Sequence, residues 1–94
     1  MPSYNIAHIH EQGADIIIIP LDSSFGNKSS IEQNKIQKEL QLRATSAGLA
    51  GIVVPVWDDA FGHLFFLAPQ NWKGFFDSIN MDFIRASINR TLSW

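Results

Sequence analysis

Four consecutive isoleucines, Ile16–Ile19, followed at once by Pro20, constrain this chain more than any other stretch in it. Side chains branched at Cβ lose rotamer freedom in a helix and pack well on a pleated surface, so the run reads as a strand. Successive strand residues point to opposite faces, so an unbroken apolar run implies burial on both faces, or nearly so, at the centre of a sheet. Pro20 has no amide hydrogen and marks the point where ladder pairing stops.

The neighbouring segments fall into place around this strand. "YNIAHIHE", residues 4–11, alternates imperfectly and leads to Gly13, which suits a hairpin turn, so it is the expected antiparallel companion. "DSSFGNKSS" is a loop of turn formers, and a helix is predicted from Ser29 or Ser30 to about Ala47, ending at Gly48. Glu32 and Gln33 each lie three residues beyond a serine, the spacing of a capping box. At about 100° per residue, Ile36, Leu40, Ala44 and Ala47 form one apolar stripe, while Lys28, Glu32, Lys35, Glu39 and Arg43 form a charged flank. Ile31, Leu42 and Leu49 point nearly opposite the first stripe, which predicts a helix touched from both sides.

A second pair of strands is read in "GIVVPVW" and "HLFFLAP", with Pro55 arguing for a sheet edge or bulge. Trp72, Phe75 and Phe76 share one face of a helical turn. A last helix is expected from Ser78 or Asn80, with Met81, Ile84, Ile88 and Leu92 as its core stripe and Asp82, Arg85 and Arg90 placed as the helix dipole prefers. The fold class that follows is α+β: a two-layer sandwich in ββαββα order, with a four-stranded, mostly antiparallel sheet and two main helices packed on one face. The two halves echo each other as ββα units, with little side-chain identity beyond the spacing.

Composition bounds the function. The chain has 94 residues, which predicts one domain over residues 1–94. Charged residues make up only 17% and aromatic residues 12%, so some apolar surface is expected to be covered by another subunit, a homodimer foremost, or by another protein. The formal net charge is −2 and the seven Lys and Arg residues are scattered, which argues against nucleic acid as a partner. With no cysteine, disulfides, zinc–thiolate sites and cysteine nucleophiles are excluded. The start "MPSYNIAHIH" has neither a basic segment nor a long apolar one, and no apolar run is long enough for a bilayer; no membrane partner and a soluble, cytoplasmic protein are expected.

Three candidate sites emerge. His8 and His10 are two apart on a strand and share a face, so both can offer a ring nitrogen to one divalent metal, with His63 and Asp58 (or Asp59) completing the set if the second hairpin lies beside the first. The competing reading is an exposed strand face and a turn-end histidine. Lys28, Ser29 and Ser30 stand at a helix N-terminus, where free amides attract anions, against a simple capped entrance in which the serines satisfy those amides. Trp72, Phe75 and the terminal Trp94, together with Ile31 and Leu42, are candidates for an apolar contact surface, tryptophan being favoured at such surfaces.

No catalytic frame is present. Asp58 and Asp59 are strand neighbours expected to point apart, and no Gly-x-Ser-x-Gly elbow places a nucleophile. The expectation is a small non-enzymatic binding or interaction module, homodimeric and without an obligatory cofactor. A metal-dependent protein at the histidines and an anion or small-ligand binder at Lys28–Ser30 are the alternatives.

Overall fold

The computed structural model describes residues 3–11, 13–59, 63–68 and 70–93. The chain runs through β1 (Ser3–Glu11), β2 (Ala14–Pro20), α1 (Ser30–Ser46), β3 (Ile52–Asp58), β4 (Leu64–Phe66), α2 (Lys73–Asp77), α3 (Met81–Ser87) and β5 (Arg90–Ser93). Short 3-10 turns at Ser23–Asn27 and Gln70–Trp72 precede α1 and α2. The fold is α+β around one mixed sheet of five strands in the order β4-β3-β2-β1-β5. β2 is the middle strand, as the isoleucine run requires. It pairs antiparallel with β1 through Ile9↔Ile16 and Ala7↔Ile18, and parallel with β3 through Ile17↔Val53 and Ile18↔Val54.

Two sequence expectations conflicted, and the structure decides between them. A strand buried on both faces cannot lie in a two-layer sandwich with all helices on one side, because its second face would meet water. Ile16 and Ile18 pack with Val54, Val56, Trp72, Phe76, Met81 and Ile84, the α2–α3 side. Ile17 and Ile19 point the other way and pack with Ile6, Val53, Leu40 and Ala44, the α1 side. The sheet therefore lies between two helical layers, and all four isoleucines are fully buried. Each such side chain contributes on the order of 1.5–3 kcal/mol of hydrophobic driving force.

The expected four-stranded sheet is corrected by β5. The last helix begins on cue, with the Asn80 side chain accepting from the Phe83 amide at 2.9 Å, but it ends at Ser87 with Ile88 extended. Arg90–Ser93 then pairs antiparallel with Ser3–Ile6 of β1. Leu92 does reach the core, yet from a strand and on the face opposite Met81 and Ile84. The Asn89 side chain adds one more rung to this ladder, accepting from the His8 amide and donating to the His8 carbonyl, both at 2.9 Å.

α1 forms where its capping signals say. The Ser29 hydroxyl accepts from the Glu32 amide at 3.2 Å, and Gly48 takes φ +80° just beyond the last turn. Within α1 only Leu40 and Ala44 are buried, with Ile36 half-buried. Much of its docking is polar. Gln33, Gln37 and Gln41 recur every four residues on one side and donate to the carbonyls of Phe25, Val53 and Gly51 at 3.1, 3.2 and 3.1 Å. Gln41 also accepts from the Val53 amide at 2.8 Å, so its side chain occupies the ladder position of a neighbouring strand.

Pro55 explains why that position is open. β4 pairs with β3 only over Val56–Asp58, and the last bond of this edge runs from the Leu67 amide to the Pro55 carbonyl at 3.1 Å. Proline has no donor to continue the ladder, so pairing stops there and the Val53 groups beyond it need another partner. Gly51, at φ +124°, begins this segment, and a Cβ there would lie 2.7 Å from the Asp15 carbonyl oxygen. Among the described residues no helix is long and apolar enough to cross a membrane.

Candidate functional site

β2 and β3 run parallel, so their carboxyl ends open side by side, the place where ligands of parallel sheets are usually received. β2 ends at Pro20 and its chain turns through Ser23–Asn27; β3 ends in Trp57 and Asp58. The turn lies against the indole. Phe25 meets Trp57 edge-on at 4.8 Å, and a Cβ on Gly26 would come within 2.7 Å of the indole Nε1, so only glycine allows this approach. From β4, Phe65 lies directly across from Trp57 in register and stacks on it at 6.2 Å with ring planes 17° apart. Between turn and strand ends lies an open cleft of about 260 Å³ lined by Ser23, Asn27, Trp57, Asp58, Asp59 and Phe65, with the Gly26 backbone.

The two carboxylates are held differently. Asp59 accepts from the His63 backbone amide and from its ring Nδ1, both at 2.9 Å, which fixes the carboxylate and the imidazole together. Asp58 borders the cleft, but its carboxylate lies on the other face of β3, in a second, more polar hollow of about 290 Å³ on the α3 side, with Asn80, Asp82 and Arg85. There Arg85 approaches Asp58 at 4.0 Å and Asp82 at 3.9 Å.

The candidate metal set does not converge. His8 and His10 lie on the part of β1 that pairs with the start of β2, whereas His63 and Asp58 lie beyond the carboxyl end of β3. The separation is roughly 20 Å, the rise of about six strand residues. The two β1 rings are also engaged separately: His8 Nε2 donates to the Ala50 carbonyl at 2.8 Å, and His10 Nδ1 to Asp15 at 2.9 Å. Among the described residues no group of three or more His, Cys, Asp or Glu side chains is placed to hold a metal ion. His8 and His10 thus lie on a strand face with separate local partners.

At the α1 entrance the capped arrangement is the one found: Ser29 uses its hydroxyl on the Glu32 amide and its carbonyl on the Gln33 amide at 2.9 Å. Ser30 is the exposed first residue of the helix, and Lys28 lines a third hollow of about 210 Å³ together with Asp22, Tyr4 and Ile36. A carboxylate in the same hollow works against an anion there.

The aromatic surface is not where it was expected. Trp72 is only 2% exposed and belongs to the core of the α2–α3 side. It packs with Ile16, Ile18, Val54 and Val56 of the sheet and with Phe76, Met81 and Ile84, a burial that its sequence position beside Lys73 and Asn71 conceals. Phe75 is half-buried, edge-on to Trp72 at 5.7 Å and to Phe76 at 5.2 Å. Trp94 lies outside the described residues. Ile31 and Leu42, by contrast, are 80% and 63% exposed on the side of α1 that faces away from the sheet.

Trp57, Phe65, Ser23 and Asn27 were not anticipated. Trp57 ends the strand read in "GIVVPVW", and the signal available was its place directly before two aspartates. No family model matches the chain, and comparison with curated proteins and with solved structures finds no match either.

Proposed function

We propose that this chain is a small non-enzymatic binding module that receives a small ligand, or a single protruding side chain, in the Trp57–Phe65 cleft. The observation that supports the reading is the juxtaposition of an aromatic pair, Asp59 and the polar residues Ser23 and Asn27 in one concavity at the carboxyl ends of β2 and β3. Apolar walls with a few convergent polar groups are the usual make-up of such sites.

The test is a heteronuclear NMR titration of the full chain with a panel of amino acids, sugars and nucleosides. Binding should move the amides of residues 23–27, 57–59 and 63–65 saturably, and Ser23→Phe, which fills the cleft, should abolish the shifts. A panel that leaves those amides in place, or shifts that survive Ser23→Phe, would end this reading.

A second reading, contact with another protein, is favoured by the exposure of Ile31 and Leu42 on one face of α1. Lys35 and Lys38 lie between them at helical spacing, so a second copy docked here would bring like charges together. That favours an acidic partner over a homodimer at this face.

A further inference from the structure

We propose that the outer face of α1 docks an acidic amphipathic helix of another protein, which rests on the second reading above, that α1 is a contact face. The partner's carboxylates meet Lys35 and Lys38, and its apolar side chains cover Ile31 and Leu42. Among the described residues these two are the most exposed large apolar side chains, at 80% and 63%, whereas Ile52, Phe65 and Phe83 stay between 39% and 44%. Both fall on one line. At about 100° per residue, Ile31, Lys35, Lys38 and Leu42 lie within roughly 60° of one another, opposite the Leu40 and Ala44 that α1 buries against the sheet. Single apolar residues scattered over a surface are ordinary; two that share a helix line with lysines between them make a seam.

The spacing along that line is i, i+4, i+7, i+11, the recurrence by which one helix meets another. Its ends, about 16 Å apart along the axis, are apolar and its middle is cationic. Both lysines are exposed, and among the described residues neither forms an ion pair; on this helix Arg43 pairs with Glu39, at 3.8 Å. A facing helix with carboxylates at its two central positions satisfies both ammonium groups. A second copy of α1 would set lysine against lysine. A lipid surface fits less well, because it takes a broad apolar face, and Glu32 and Glu39 flank this line where they would meet anionic headgroups. Exposed ion pairs add little affinity, so the apolar ends hold the partner and the lysines select its charge.

The probe is a synthetic helical peptide of alanine and glutamine, with leucine at i and i+11 and glutamate at i+4 and i+7, titrated into the isotope-labelled full chain. A second peptide carries lysine in place of both glutamates. The glutamate peptide should shift the amides of residues 31–45 saturably and bind about tenfold more tightly than the lysine peptide. The double variant Lys35→Glu, Lys38→Glu should reverse that preference, and Leu42→Ser should weaken the glutamate peptide about tenfold. All three positions are exposed, so the β2 and β3 amides should stay in place in every variant. Equal binding of the two peptides, or a preference that the double variant does not reverse, overturns the acidic partner while α1 stands as a contact face. If neither peptide moves these amides, the contact face falls as well. If phosphatidylserine vesicles move them and the glutamate peptide does not, the occupant is a lipid surface; if raising the protein concentration alone moves them, it is a second copy. Either result overturns the proposal.

Discussion

On one face of the sheet, α2 and α3 press Trp72, Phe76, Met81 and Ile84 onto Ile16, Ile18, Val54 and Val56. On the other, a helix of 17 residues buries only Leu40 and Ala44 and reaches the backbone with three glutamines. The first face is held by apolar area and is insensitive to the direction of any one bond. The second face is held by directed amide bonds to backbone groups, among them the Val53 amide and carbonyl on the strand edge that β4 leaves open. A short helix can dock by area alone when its side chains are large. A long helix with little apolar surface docks by completing hydrogen bonds the sheet has left open.

The comparison can be broken at three points, in falling order of effect. Trp72→Ala should cost about 3–5 kcal/mol, enough to unfold or nearly unfold a chain of this size in urea titrations followed by circular dichroism. A loss below about 1 kcal/mol would mean that the α2–α3 face is not held by packing. Gln41→Leu keeps the bulk but removes the acceptor of the Val53 amide and the donor to the Gly51 carbonyl, so it should cost about 1–3 kcal/mol. Hydrogen exchange should locate the damage at the Val53 amide; an unchanged Val53 rate would show that the glutamine is incidental. Leu42→Ser on the outer face should change stability by no more than about 0.5 kcal/mol and leave sedimentation unaltered. A concentration-dependent mass that this variant abolishes would restore a homodimer at that face.

What was legible in the sequence had local causes. Ile16–Ile19 could only be an interior strand, and Ser29 and Gly48 bound α1 because caps act within a turn of where they stand. β5 was illegible because Met81, Ile84, Ile88 and Leu92 keep helical spacing into a segment whose conformation is set by pairing with β1 at the far end of the chain. The second helical layer was present in the isoleucine run itself, since burial on both faces demands cover on both. The glutamine row went unread because half-buried glutamine and solvated glutamine look alike until the strand edge beside them is known. The cleft was hidden for a similar reason: Trp57 and Phe65 become neighbours only through the β3–β4 register.

The substitution of the Gln41 amide for a strand has one more consequence. An intact β3 offers no free donor or acceptor at Val53, so a passing extended chain finds nothing there to add to. That safeguard belongs to the helix rather than to the strand. Any state in which α1 lifts away while the sheet persists exposes a bare template beside Ile52 and Val54, and resistance to aggregation therefore depends on how firmly one helix stays seated.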